Sequence, residues 1–243
     1  MDWSHLSTRL FTKIYYRSLI KQCYLCKQPS SSSLCNWCLP LLNTNQARCK
    51  GCGIAGKFPY LCGDCQSTTR PWKSCIVATD YEKINRHLIR AAKFHDNNYN
   101  FRIYCDLLAQ KVIQHYKHDI PSLWVTVPSH IKRIRERGKC SNDVLYRTLK
   151  QSVYHISKRE RPIQRVHLTK VEHTAPQHRQ KRSKRLTIPT SLFKFAGTLS
   201  GHVVLIDDVM TTGATLEACT KTLLKAGASS VDVWVIARTP PSL

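Results

Sequence analysis

The sequence predicts an α/β domain with a mainly parallel sheet flanked by helices, preceded by a small cysteine-rich module. Three observations lead there. From residue 72 onward, short β-branched runs alternate with segments of helical periodicity about 10 to 15 residues long, the pattern of βαβ units. Four CxxC pairs crowd residues 23–65. A chain of 243 residues has room for one medium domain and a small satellite.

Residues 1–21 set Leu10, Phe11, Ile14, Tyr15, Tyr16, Leu19 and Ile20 roughly on one helical face, which predicts a lead-in helix. Residues 22–70 hold the paired cysteines, and residues 71–240 form the α/β domain. In that domain SCIVATDY reads as a strand. YEKINRHLIRAAKFH places Ile84, Leu88 and Ala91 on a helical stripe, and FRIYCDLLAQKVIQHY repeats it with Phe101, Leu108, Val112 and Tyr116. LWVTVP is a strand cut off by Pro128, VLYRTLKQSV a helix, IQRVHL a short strand and VVLI a buried one. LEACTKTLLKAG is a helix ended by Gly227, ahead of the strand VDVWVIA. Residues 171–190 are basic and aperiodic, the mark of a long loop.

Eight of the twelve cysteines, Cys23, Cys26, Cys35, Cys38, Cys49, Cys52, Cys62 and Cys65, are spaced C-x2-C-x8-C-x2-C and then C-x2-C-x9-C-x2-C. This is an internal repeat. A two-residue spacer lets both thiolates of a pair face one ion, so two structural Zn(II) sites are expected, with the metal supplying folding free energy that so small a unit cannot draw from a core. Sequential pairing of the ligands is simplest, and crossed pairing stays open. A redox dithiol is the weaker reading, because four pairs exceed what thiol exchange needs. Reduced thiolates imply a reducing compartment. No apolar run reaches the roughly 18 residues of a membrane span, and MDWSHLSTRL lacks a signal-peptide pattern, so a cytoplasmic location is expected.

The formal net charge is +23, and residues 128–186 alone carry 17 basic and 4 acidic groups. A field of that size favours a polyanion, nucleic acid first and an anionic membrane surface second, although charge alone selects no partner.

Against that background VVLIDDVMTTGAT, residues 203–215, stands out for its two carboxylates. Asp207 and Asp208 follow a buried strand, where carboxylates accept hydrogen bonds from sugar hydroxyls or hold hydrated Mg(II). Thr211, Thr212, Gly213, Ala214 and Thr215 form a small-residue turn into a helix, whose N–H groups and positive end suit a phosphate. Together they match the two ends of a ribose 5-phosphate. The G-x4-GK[ST] motif is absent, which excludes a P-loop, and the one G-x-G-x-x-G, residues 51–56, falls among the paired cysteines rather than between a strand and a helix, so it is no dinucleotide-binding loop. The bland alternative is an acidic pair that merely caps a turn.

VVLIDDVMTTGAT resembles the phosphoribosyl-diphosphate signature of type I phosphoribosyltransferases. With the cysteine module, DYEKINRHLIRAAKFHDN, VTVPSHIKRIRERG, the TAPQ at 174–177 and VWVIARTP, the chain resembles the competence protein F (ComF) family, amidophosphoribosyltransferase-like, across roughly residues 20–240. The resemblance implies a type I phosphoribosyltransferase fold behind a double zinc ribbon. It implies that Asp207 and Asp208 bind the ribose 2- and 3-hydroxyls, that Val209 and Met210 lead into a turn, Thr211 to Thr215, wrapping the 5-phosphate, and that Val127, Pro128, Ser129 and His130 form a diphosphate loop in which family members often use a strained or cis peptide. Arg133 and Arg137 would neutralise the diphosphate, Mg(II) would bridge it to the ribose, and Thr174 and Gln177 would belong to a closing hood. Family members usually follow RERG with an aromatic, Asn and Gln; here KCSND follows, with Asn142 the nearest asparagine.

The family role implied is a late step of DNA uptake in natural transformation, at the cytoplasmic side of the inner membrane, with single-stranded DNA and a DNA-uptake helicase or membrane-channel protein as partners. Two basic clusters suit such a strand: Lys132, Arg135 and Lys139 beside the arginines above, and Arg179, Lys181, Arg182, Lys184 and Arg185. Tyr146, Tyr154, His155 and His167, and in the cysteine module Trp37, Phe58 and Tyr60 near Arg48, Lys50 and Lys57, are candidates for base stacking, although a lone aromatic more often belongs to a core. The alternatives are an active phosphoribosyltransferase acting on a small nitrogen acceptor and a non-enzymatic zinc-stabilised nucleic-acid adaptor. No residue identifies a catalytic base.

Overall fold

The computed structural model describes residues 22–31, 34–42, 45–58, 60–94, 98–117, 119–129, 135, 141–158, 161–171 and 188–241. The expected lead-in helix at 1–21 lies outside them. The chain divides into two compact units, Met1–Asn43 and Thr44–Leu243, so one cysteine group falls in each.

In the second unit five strands, β1 (Ser74–Asp80), β2 (Leu123–Thr126), β3 (Gln164–Val166), β6 (His202–Met210) and β7 (Ser230–Arg238), form one sheet in the order β1-β7-β6-β2-β3. Every pairing in it is parallel, as the alternating pattern predicts. Its helices are α2 (Lys83–Phe94), α3 (Asn98–Tyr116), α4 (Ser141–Ser157) and α5 (Ala214–Lys225); the short α1 (Gly63–Ser67) belongs to the cysteine module. Side chains alternate across a strand, so the two faces have separate cores. On one face Val125, Val203, Leu205, Val231, Val233 and Val235 pack with Leu216, Cys219 and Leu223 of α5. On the other, Trp124 and Trp234 meet edge to face at 5.0 Å, with Tyr146 of α4 and Tyr116 of α3 against them.

Two features depart from the sequence reading. β6 does not stop at Ile206 but runs through both aspartates to Met210, because β7 continues to pair with it as far as Met210↔Arg238. A two-stranded antiparallel ribbon, β4 (Thr169–Lys170) on β5 (Phe193–Lys194), flanks the segment expected to be a long loop, most of which lies outside the described residues, and is anchored where Phe193 joins the core.

At the amino-terminal edge of the sheet Asp232 is 2% exposed. It accepts hydrogen bonds from Ser74 Oγ at 2.8 Å, from Tyr116 and from His202 Nε2 at 2.8 Å, while His202 Nδ1 meets Ser230 Oγ. Burial pushes its pKa up, but these donors outweigh burial and hold it below the ordinary carboxylate value. Serine, histidine and aspartate in sequence here tie β1, β6 and β7 together, at the end of the sheet away from the carboxyl termini where ligands bind. A depressed carboxylate stabilises the fold above its unfolded pKa of about 3.9 and loses that contribution as pH falls through its own lower value. Replacing Asp232→Asn is therefore expected to cost about 2 kcal/mol at about pH 7 and much less at about pH 3. Urea unfolding at both pH values measures this, and equal losses would contradict an ionic role.

Candidate functional site

Both cysteine groups fold alike. An antiparallel bridge closes each first knuckle, Gln22↔Pro29 and Arg48↔Ala55. Within it Cys23 N–H donates to Gln28 O at 2.7 Å, and Cys49 N–H to Ile54 O at 2.9 Å. The residue after the second cysteine is left-handed in both, Lys27 at φ 62° and Gly53 at φ 70°. Gly53 is required, since a Cβ there would lie 2.3 Å from Val77 Cγ2. The second knuckles match as well, with Cys38 and Cys65 N–H donating to Cys35 and Cys62 O.

The ligand sets are sequential: Cys23, Cys26, Cys35 and Cys38 in one cluster, Cys49, Cys52, Cys62 and Cys65 in the other, with sulfurs within 4.8 Å of one another in each. Sulfur pairs at 3.7 Å (Cys26 and Cys35) and 3.5 Å (Cys52 and Cys62) are too long for disulfides and near the edge of about 3.8 Å expected of a tetrahedral Zn–thiolate centre. All eight thiols are free. Burial disfavours ionisation, yet backbone N–H donors bring Cys23 down to about 6 and Cys49 to about 7, so each cluster begins with a ready thiolate. The donor set fits zinc, which would join the two knuckles of each module.

The sheet order places a topological switch between β6 and β2, since the chain leaves β6 towards β7 and leaves β2 towards β3. Ligands bind at such a point, outside the carboxyl ends of the strands. There β2 ends at Thr126↔Ile206, and Val127 N–H makes one more bond to Ile206 O at 2.9 Å. Pro128 and Ser129 follow outside the strand, half-buried as Asp207 and Asp208 are, on trans peptides. The cis peptide common in the family has no counterpart among the described residues. Asn142, buried at the start of α4, donates through Nδ2 to Val127 O and pins the start of this segment.

Asp208 is ion-paired to Lys93 Nζ at 2.8 Å, both side chains 14% exposed, and its N–H donates to Asp207 Oδ1 at 2.9 Å. Sequence reasoning missed Lys93; in the last turn of α2 it reads as an ordinary helix-end cation. Thr211 and Thr212 are exposed, Thr215 is half-buried, and Ala214 N–H turns back to Thr212 Oγ1 at 3.3 Å. Gly213 caps α5 at φ 89°. Its hydrogen faces Met210 Cε, which would lie 2.7 Å from a Cβ, and Trp72, 3.4 Å away. The Met210 side chain is in the core, so that residue supports the turn from beneath.

His130, Lys132, Arg133, Arg137, Lys139, Thr174, Gln177, Arg179, Lys181, Arg182, Lys184 and Arg185 lie outside the described residues; Arg135 is described and exposed. Among the stacking candidates Trp37 is 89% and Tyr60 66% exposed, with Lys50 Nζ over the Tyr60 ring at 4.7 Å. Others are committed elsewhere. Tyr146 is core, Phe58 packs on the second cysteine cluster, and Arg48 is taken from the surface by a buried pair with Asp80 at 2.7 Å.

Fold and site together define an α/β protein whose parallel sheet presents an acidic pair and a glycine-capped turn at its switch point, with two zinc-ribbon-like four-cysteine modules. The chain is homologous to the competence protein F and YhgH proteins. It is 28% identical over 225 residues to the DNA utilization protein YhgH of Salmonella typhimurium, covering 89% of this chain and 96% of that protein. Competence protein F of Haemophilus influenzae is 26% identical over 209 residues, 78% of this chain and 90% of that one. No family model matches. A solved hypoxanthine phosphoribosyltransferase from Trypanosoma cruzi, in complex with the product IMP, covers 60% of this chain and 79% of its own at 13% identity and TM-score 0.37, too distant to bear on the site.

Replacing Gly213→Ala is expected to cost about 1 to 3 kcal/mol, read by urea unfolding, because both the left-handed φ and the contact with Met210 oppose a side chain. Metal analysis is expected to find one zinc per cluster, and Cys62→Ser to remove one of the two. Natively folded protein that contains no zinc as purified would overturn the assignment.

Proposed function

We propose that this chain serves DNA utilization as a protein that binds phosphoribosyl diphosphate and single-stranded DNA. The single observation carrying the ligand is the pairing, at the switch point of the sheet, of Asp207 and Asp208 with the Gly213-capped turn. Carboxylates at a strand end suit the ribose hydroxyls with Mg(II), and five residues further on the N-terminus of α5 suits the 5-phosphate. Val127 to His130 would then face the diphosphate, with Arg133 and Arg137 to neutralise it and Thr174 and Gln177 in the closing hood. The donors are hard oxygens, as Mg(II) requires.

The role in DNA rests on what the names of the homologues say, DNA utilization and competence, and on the charge of this chain. The clusters around Lys132, Arg135 and Lys139 and from Arg179 to Arg185 would neutralise phosphates along a strand, with Trp37 and Tyr60 exposed for stacking. Among the described residues no helix is long and apolar enough to cross a membrane. A cytoplasmic site of action beside uptake machinery, a helicase or channel protein, suits the reading.

Titration calorimetry with phosphoribosyl diphosphate and Mg(II) tests the pocket. Asp207→Asn is expected to weaken binding about 10- to 100-fold, the loss of one or two charge-assisted hydrogen bonds, and unchanged affinity would overturn the assignment. Diphosphate release that depends on a small amine or base would mark transfer to a nitrogen acceptor; binding without release leaves a ligand-responsive DNA-binding protein. Affinity for single-stranded DNA is expected to fall steeply with salt, and the slope to flatten when the charges at 179–185 are removed.

A further inference from the structure

The second cysteine cluster and the turn at 211–215 share two side chains that neither site accounts for. Arg238, at the end of β7, is 7% exposed. Its Nε–H donates to Cys52 O at 2.9 Å, and Nη1 donates to Met210 O at 3.2 Å, to Thr211 O and to Thr239 O at 2.7 Å. One buried guanidinium thus holds the carbonyl of a metal-binding knuckle and the two carbonyls that begin the turn. Trp72, 4% exposed, makes the parallel link, donating from Nε1 to Gly51 O at 2.6 Å while its ring lies against Gly213. Cys75 completes the seam, with N–H on Lys50 O at 2.8 Å and Sγ 4.0 Å from Met210 Sδ.

Charge explains why an arginine is tolerated there. None of these partners is a carboxylate. A zinc ion with four thiolates carries a net charge of about −2, and this centre stands beside Arg238, whose Nε–H is on the Cys52 carbonyl. If the metal leaves, the knuckle that presents the Cys52 carbonyl is no longer fixed by its ligands, and Arg238 loses the firm anchor from which it holds the turn.

We propose that Arg238 and Trp72 form a strut through which the second cysteine cluster sets the geometry of the Thr211–Thr215 turn, so that metal occupancy of that cluster governs sugar-phosphate binding. The ligand part rests on the reading of the turn given above; the mechanical part does not. Arg238 and Trp72 are positioning residues.

Amide hydrogen exchange on the full chain, with and without a zinc chelator, reads the strut directly. Stripping zinc from the wild-type protein is expected to speed exchange of the amides at 211–215 about tenfold or more while α3 stays protected. In Arg238→Met the same amides should exchange fast already and respond little to the chelator. Trp72→Phe, which keeps the ring but loses the bond to Gly51, should fall between, and it stands in for Arg238→Met if that variant fails to fold. Unchanged exchange at 211–215 on chelation overturns the strut, as does loss of protection throughout α3. Ribose 5-phosphate affinity, measured on the same samples, should fall in step with the exchange. A wild-type chain that binds no ribose 5-phosphate overturns the ligand part alone, and the exchange data still decide the strut.

Discussion

The hydrogen bonding of β6 on both of its edges is the constraint on which the rest depends. Between β7 and β2 its residues Val203 to Ile206 have every backbone group paired and no exposed side-chain surface, so only apolar side chains are stable there. β2 stops at Thr126 while β6 and β7 continue together to Met210 and Arg238. Past Ile206 the strand therefore keeps one partner and loses the other. That asymmetry lets two carboxylates stand within a strand at its half-buried end, past the point where β2 stops.

The same geometry organises the charges. Asp80, Asp106, Asp143, Asp208 and Glu217 each sit in an ion pair with a lysine or arginine, several of them well shielded from water. With few acids to begin with, and those engaged inside or along elements, much of the cationic surplus is left for the surface. Lys93 shows the cost of placing acids at the switch point. A carboxylate with 14% of its side chain exposed is expensive without a counter-charge, so α2 delivers one. The half-buried end of β6 thus offers an ammonium as well as two carboxylates.

The two cysteine modules show how one local design serves different settings. Their hydrogen-bond patterns coincide residue for residue, because a tetrahedral thiolate site dictates a tight turn and a left-handed residue after the second cysteine. Their surroundings differ. The second module lies in the same compact unit as the sheet, where Gly51 and Cys52 carbonyls receive Trp72 and Arg238, and its metal would stabilise more than its own turns.

The sequence by itself determined whatever is encoded by near neighbours. Period-two and period-3.6 patterns placed the central strands and helices within a few residues, and spacing showed two groups of four cysteines while leaving sequential or crossed pairing to the structure. Only the tertiary structure decided what depends on residues remote in the chain. β6 runs through Asp207 and Asp208 because β7 is there to pair with them, a fact absent from VVLIDD itself. Lys93 reaches Asp208 from more than a hundred residues away, Asn142 holds Val127, and Arg238 joins Cys52 to Thr211. Lysine, asparagine and arginine look alike on a surface helix and in a buried contact, since their chemistry is not periodic, and only the packing of the sheet tells which of them has been taken inside.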